Sequence, residues 1–128
     1  MRLLLDTHAL IWWLAGNERL TPRARDAIVA PGVAIFASAA SAWEITTKYR
    51  LGKLPIAAGF AKKLSAAVAS QEFRELPITF AHAEFAGSLA GKHGDPFDRM
   101  LIAQSLNEEL TLVSNERLFD SFGVSRLW

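Results

Sequence analysis

A short apolar run ending in a carboxylate constrains this chain most. Leu3-Leu4-Leu5 is followed at once by Asp6-Thr7-His8. Consecutive apolar residues bounded by polar ones read as a strand buried on both faces, central in a parallel sheet. A carboxylate directly after such a strand sits at its carboxyl end, where open α/β sheets bind their ligands. A bare carboxylate at the rim of an apolar core is costly unless a positive group meets it. The question posed by the first eight residues is therefore what meets Asp6.

The later elements follow from their caps and stops. Thr7 is the expected cap of a helix over His8–Leu14, stopped by Gly16-Asn17. That helix is apolar nearly all round, so one side is expected on the sheet and the other, with Trp12 and Trp13, on a partner. Thr21-Pro22 opens a second helix running through Arg23–Ala30, with proline at the first helical position. Val33–Ala37 reads as the second strand, Ser38–Arg50 as the third helix and Ala57–Ser70 as the fourth. Glu75–Ile78 reads as the third strand, and Thr79 caps a helix over Phe80–Ala90. Asp95-Pro96 reads as an N-cap and first-turn proline for a helix reaching Asn107. Leu110–Val113 is the fourth strand, Ser114–Arg117 open a short helix ending near Ser121, and Val124–Leu127 reads as a last edge strand. Strands and helices alternate. The expected fold class is α/β, an α/β/α sandwich with a central parallel sheet of four to five strands. No repeat, low-complexity segment or linker interrupts it, and residues 1–128 read as a single domain.

Composition narrows the chemistry. The chain has no cysteine, which removes disulfides, thiolate catalysis and cysteine-held zinc together. Any metal must be held by oxygen or imidazole. The net charge of +1 gives no global basic field for nucleic acid, so any such contact must come from local groups. No stretch reaches the ~20 apolar residues of a membrane helix. The N-terminus lacks the basic region and cleavage site of a signal peptide, so a cytoplasmic location is expected. Four Trp and eight Phe are many for this length, and some are expected at an interface.

Acids recur where the strands are expected to end. Asp6 follows the first strand, Glu44 lies in the helix after the second, Asp98 in the helix before the fourth, and Glu116 after the fourth. Parallel strands put their carboxyl ends along one edge, so these side chains can converge. Carboxylates within ~5 Å of one another repel unless a cation neutralises them. A hard divalent ion with oxygen ligands, Mg²⁺ or Mn²⁺, resolves this and supports phosphodiester hydrolysis without a covalent enzyme intermediate. Each acid also has a plainer reading. Asp6 fits a helix N-cap, Asp95 fits that role better than ligation, and Glu116 is favoured by the helix dipole in a first turn. Glu44, within Ala39-Ala40-Ser41-Ala42-Trp43, has surroundings that suggest a buried face, and Asp98 has no capping duty of its own. His8 reads as a helix-face residue or substrate contact, and His93 as a loop residue able to touch phosphate. Lys48, Arg50 and Lys53 cluster at the end of the Glu44 helix, while Lys92, Arg99 and Arg117 flank the other acids. Singly these are solubilising charges; as a set they would supply phosphate contacts.

Five stretches in order carry a resemblance: Leu3–Leu14, Ser38–Ile45, Leu51–Leu54, His93–Gln104 and Thr111–Ser114. Over essentially its full length the chain resembles PIN-domain proteins, close to the VapC toxins of bacterial type II toxin–antitoxin systems. The resemblance implies a small α/β/α sandwich, a Mg²⁺/Mn²⁺-dependent endoribonuclease site, a homodimer, and neutralisation by a VapB-like antitoxin inserting a segment into the groove. It implies Asp6, Glu44 and Asp98 as metal ligands, with the third family acid falling on Asp98 rather than Asp95. The fourth family acid is commonly Asp; here it is Glu116, one methylene longer, expected to orient a water. Ser114 would bond Asp6 or a metal-bound water, and Asp95 is a supporting residue. His8, Lys48, Lys53, His93 and Arg99 are the expected substrate contacts. Three rivals are weaker or overlap. A haloacid-dehalogenase-type phosphohydrolase wants a second Asp where His8 stands. A receiver domain wants a Lys where Val113-Ser114-Asn115 has none. A catalytically silent partner-binding module would use the Trp-rich first helix.

Overall fold

The computed structural model describes residues 1–128. Five strands form one all-parallel sheet: β1 (Arg2–Leu5), β2 (Ala34–Ser38), β3 (Arg74–Leu76), β4 (Thr111–Val113) and β5 (Arg126–Leu127), in the order β3-β2-β1-β4-β5. The expected α/β architecture is what forms, with β1 at the centre. Leu3, Leu4 and Leu5 are fully buried. Their alternation builds two cores. Leu3 and Leu5 join Leu10, Ile11, Leu20, Ile35 and Ile45 on one face. Leu4 joins Leu101, Ile102, Leu112 and Phe119 on the other. Full burial of each such side chain contributes about 1.5–3 kcal/mol.

The helices are α1 (Thr7–Ala15), α2 (Pro22–Val29), α3 (Ala39–Arg50), α4 (Leu64–Ser70), α5 (Phe80–Ser88) and α6 (Pro96–Asn107). The cap of α1 is Asp6, not Thr7: its side chain accepts from the Ala9 amide at 2.7 Å. Thr7 is already helical, and its hydroxyl bonds Ser41 Oγ at 3.0 Å, tying α1 to α3. Thr21 and Asp95 cap α2 and α6 with proline behind each, as their sequences suggest. Thr79 caps α5 with His82 as its reciprocal partner.

The segment expected as one helix over Ala57–Ser70 divides. Two 3₁₀ turns, Pro55–Gly59 and Ala61–Lys63, precede α4. Ala57, Phe60 and Lys63 each donate to the carbonyl three residues back. Ala57, Phe60, Ala61 and Leu64 are buried, and their near-three-residue spacing suits the tighter turn. β3 stops before Pro77, which has no N–H to extend the ladder, so Ile78 is outside it. Leu110 is outside β4 because its amide turns back to Ser105 O.

The expectation that Trp12 and Trp13 face a partner is corrected. Trp12 is buried against Trp128, with ring centroids 5.8 Å apart. Trp13 is half-buried beside Phe73 and donates Nε1–H to Gln71 at 3.0 Å. The chain's own distant segments cover α1. The exposed aromatics are Trp43 (64%) and Phe80 (89%).

Candidate metal centre

The parallel sheet brings three segments to one edge. β1 delivers Asp6, β4 delivers Ser114 to Glu116, and β2 ends at Ser38, whose side chain caps α3. Ser38 Oγ also donates to Gln104 Oε1 at 2.5 Å, and Gln104 Nε2 donates to Pro77 O at 3.2 Å. This buried amide binds α6 to the ends of β2 and β3. The α3 and α6 faces carrying Glu44 and Asp98 are thereby fixed against the sheet edge.

A cleft of about 230 Å³ opens there. Asp6, Glu44, Asp98 and Glu116 all line it, with Asp95, His8 and Lys48. Trp12 and Phe119 give it apolar walls, and Asn115 completes the rim. A larger cavity, about 690 Å³, lies among α3, the 3₁₀ turns, α4 and the β3 edge. It is mostly apolar and has only Glu75 as an acid, so the acid chemistry belongs to the smaller cleft.

Each acid has a distinct environment. Asp6 is buried, and burial raises its pKa above the ordinary carboxylate value. The Ser114 hydroxyl, the Ala9 amide and the His8 charge pull it back, while the Glu44 charge adds to the rise. Glu44 is only 3% exposed. Lys48, one turn along α3, forms an ion pair with Glu44 Oε2, and Glu44 Oε1 is buried without any hydrogen-bond partner. Burial lowers the Lys48 pKa, but the Glu44 bond and charge, with the charges of Asp95 and Asp98, raise it overall.

Asp98 lies in the first turn of α6, and its Oδ2 meets His93 Nε2 at 2.8 Å. Burial raises its pKa to about 6, with the Asp95 and Glu44 charges adding and His93 opposing. Asp95 caps α6 through the Phe97 and Asp98 amides at 2.9 and 3.3 Å. Glu116 is the N-cap of a 3₁₀ helix over Arg117–Phe122, accepting from Leu118 N at 3.2 Å, rather than a first-turn residue. Its own amide donates to Ser114 Oγ at 3.0 Å.

The expected substrate contacts scatter. His8 and Lys48 line the cleft, though Lys48 is already paired with Glu44. His93 stands behind Asp98. Arg99 does not line the cleft: its guanidinium donates to the carbonyls of Ala86, His93 and Leu89 and clamps the loop after α5. Lys53 is exposed past the end of α3 and does not line the cleft. Asn115 was not singled out from the sequence. Its place beside Ser114, directly after a buried strand, was the available signal.

The donor set fits a hard cation. It is carboxylate oxygen, and Glu44 Oε1 is a buried acceptor that nothing in the protein satisfies. No three His, Asp or Glu side chains stand together at ligating distance, so a shared ion requires side-chain rotation.

A five-stranded parallel sheet with acids gathered at its carboxyl edge defines the class: an α/β protein with an acid-lined cleft at the ends of its strands. The PIN domain family model matches residues 3–124, and the chain belongs to the PIN domain family. No curated protein matches the chain in sequence. Solved structures share the fold at low identity. VapBC2 from Rickettsia felis, bound to a promoter DNA fragment, is similar with a TM-score of 0.68 at 13% identity, covering 99% of this chain and 98% of that one. VapBC-1 from nontypeable Haemophilus influenzae gives 0.63 at 15% identity, over 99% and 97%. VapC20 from Mycobacterium tuberculosis, a Sarcin-Ricin loop cleaving toxin, gives 0.59 at 18% identity, over 95% of each chain.

Proposed function

We propose that the chain is a Mg²⁺- or Mn²⁺-dependent endoribonuclease, acting as the toxin of a type II toxin–antitoxin pair and built as one domain over residues 1–128. The observation that carries this reading is the acid-lined cleft, whose lining includes Glu44 with a buried, unpartnered Oε1. Family membership supports it, and so do the fold neighbours described as VapBC structures and as a Sarcin-Ricin loop cleaving toxin.

Asp6, Glu44 and Asp98 would hold the ion. When bound, the ion supplies Lewis acidity at the phosphate and a coordinated water of lowered pKa. The protein's part is placement. Asp6 is locked by the Ala9 amide, and Asp98 is aimed by His93. Ser114 sits behind both Asp6 and Glu116 as hydroxyl support. Glu116, at the rim, would orient a water for in-line attack at phosphorus. Trp12 and Phe119 limit bulk water at the cleft wall. His8, with Lys53 further out, would contact phosphates and set register rather than base choice.

A VapB-like antitoxin and a homodimer complete the proposal. Toxin–antitoxin complexes among the fold neighbours support the first, including one from Klebsiella pneumoniae. Exposed Trp43 and Phe80 are side chains that a second copy would cover. No helix is long and apolar enough to cross a membrane. The test is cleavage of total RNA by the purified, antitoxin-free chain with Mg²⁺ or Mn²⁺. Discrete fragments are expected, and none from Asp6→Asn. An inert wild-type chain, or an Asp6→Asn variant that cleaves as well, contradicts the proposal.

A further inference from the structure

We infer that Asn115 is a specificity-determining residue: its side-chain amide reads the edge of one unpaired RNA base beside the phosphate that is cut. This rests on the nuclease reading above and deepens it.

Asn115 has no structural duty in its own turn. Asparagine suits turns for two reasons: it tolerates the left-handed backbone, and its side chain bonds nearby amides. The backbone of Asn115 is not left-handed; outside glycine only Glu72 and Glu109 have positive φ. The amide bonds of the turn are made by its neighbours instead. Ser114 Oγ accepts from the Glu116 amide at 3.0 Å, and Glu116 Oε1 accepts from the Leu118 amide at 3.2 Å. The Asn115 side chain is exposed, lines the cleft and makes no hydrogen bond within the protein.

Its mount is nonetheless fixed on both sides. Ser114 is fully buried, its N–H donates to Leu127 O at 3.1 Å, and its carbonyl accepts from the Arg126 guanidinium at 2.9 Å. Glu116 is held by the two amide bonds just described. An uncommitted side chain on a held backbone is what a precise ligand contact requires.

Position and chemistry name the ligand. β1 and β4 pair with Leu5 opposite Val113, and the Asp6 amide donates to Val113 O at 3.0 Å. Asp6 and Ser114 thus leave the sheet side by side, about 4.8 Å apart. Asn115 comes next, between Ser114 and Glu116, beside the acids that would flank the reacting phosphate. When ionised, those acids only accept hydrogen bonds. Asn115 is the one side-chain amide lining the cleft, and it offers a donor and an acceptor together. Phosphate oxygens only accept, whereas base edges carry donors and acceptors side by side. Unpaired RNA exposes those edges.

The experiment is cleavage of short single-stranded RNAs carrying a randomised window, with Mn²⁺, the cut positions being read by sequencing. Wild type, Asn115→Ala, Asn115→Leu and His8→Gln are compared, with circular dichroism to confirm folding. The wild type should favour one base at one fixed position beside the cut. Both Asn115 variants should still cut, with the gap between favoured and poorest base at that position narrowed about tenfold. His8→Gln, at the proposed phosphate contact, should weaken cleavage of all sequences alike and keep the preference. Three outcomes overturn the role of Asn115 while the wild type still cuts and the nuclease reading stands: no base preference in the wild type, an unchanged preference in both Asn115 variants, or folded Asn115 variants that cut nothing. A wild type that cuts none of the RNAs overturns both.

Discussion

Replacing Asp98 by Asn should stabilise the metal-free protein, and only above mildly acidic pH. Asp98 is raised from its ordinary 3.8 to about 6, first by burial and then by the Asp95 charge. A carboxyl whose pKa is higher in the folded state binds more protons folded than unfolded, so stability falls as pH rises through that window. Below pH ~3 Asp98 is protonated in both states and costs nothing; by pH ~7 the cost is fully developed. Over roughly two pH units, at about 1.4 kcal/mol each, the unscreened cost is about 3 kcal/mol. The side chain is 25% exposed, so solvent screening reduces this to about 1–2 kcal/mol. Asn keeps the size and can still accept from His93 Nε2. Thermal unfolding in EDTA should therefore show Asp98→Asn melting about 3–6 °C above wild type at pH 8, with the gap closing toward pH 4. Mg²⁺ should raise the wild-type midpoint at pH 8 and leave the variant nearly unmoved. A variant that is less stable at pH 8, or a difference that does not change with pH, would refute the reasoning that burial of the Asp98 charge, with repulsion from its neighbours, is the cost a cation relieves.

Other predictions follow from the same geometry. Asp6→Asn retains an N-cap acceptor for the Ala9 amide, whereas Asp6→Ala loses it; the Ala variant should be less stable than the Asn variant by about 1 kcal/mol in denaturant unfolding. Leu4→Ala empties a fully buried position in the sheet centre and should cost about 2–5 kcal/mol by the same measurement. Arg99→Ala leaves the carbonyls of Ala86, Leu89 and His93 without their donor. It should cost about 1–3 kcal/mol and speed amide hydrogen exchange across residues 89–95.

Much of the sheet was legible because its signals are local. Leu3–Leu5 before Asp6 located the central strand, and Thr21-Pro22 and Asp95-Pro96 marked helix starts by chemistry confined to two residues. Parallel topology then explains why acids far apart in sequence line one cleft. What was not legible depended on distant partners or on small differences of period. Trp12 and Trp13 looked free because their covering groups, Trp128, Gln71 and Phe73, lie 58 or more residues away. Over residues 57–64 an apolar spacing of three to four residues suits a 3₁₀ turn as well as an α-helix, and nothing local separates the two. Arg99 resembled a phosphate contact because its carbonyl acceptors belong to backbone, which no side-chain pattern reveals. Lys48 was visible one turn from Glu44, but only the placement of α3 shows its ammonium directed at that carboxylate.

The most direct test of the central claim is the chemistry of the cut ends. A defined RNA should be incubated with the purified chain and Mn²⁺, beside EDTA and Glu44→Gln controls, and its new termini identified by mass. The account predicts 5′-phosphate and 3′-hydroxyl ends that vanish in both controls. Ends bearing a 2′,3′-cyclic phosphate, or cleavage that persists in EDTA, would contradict it.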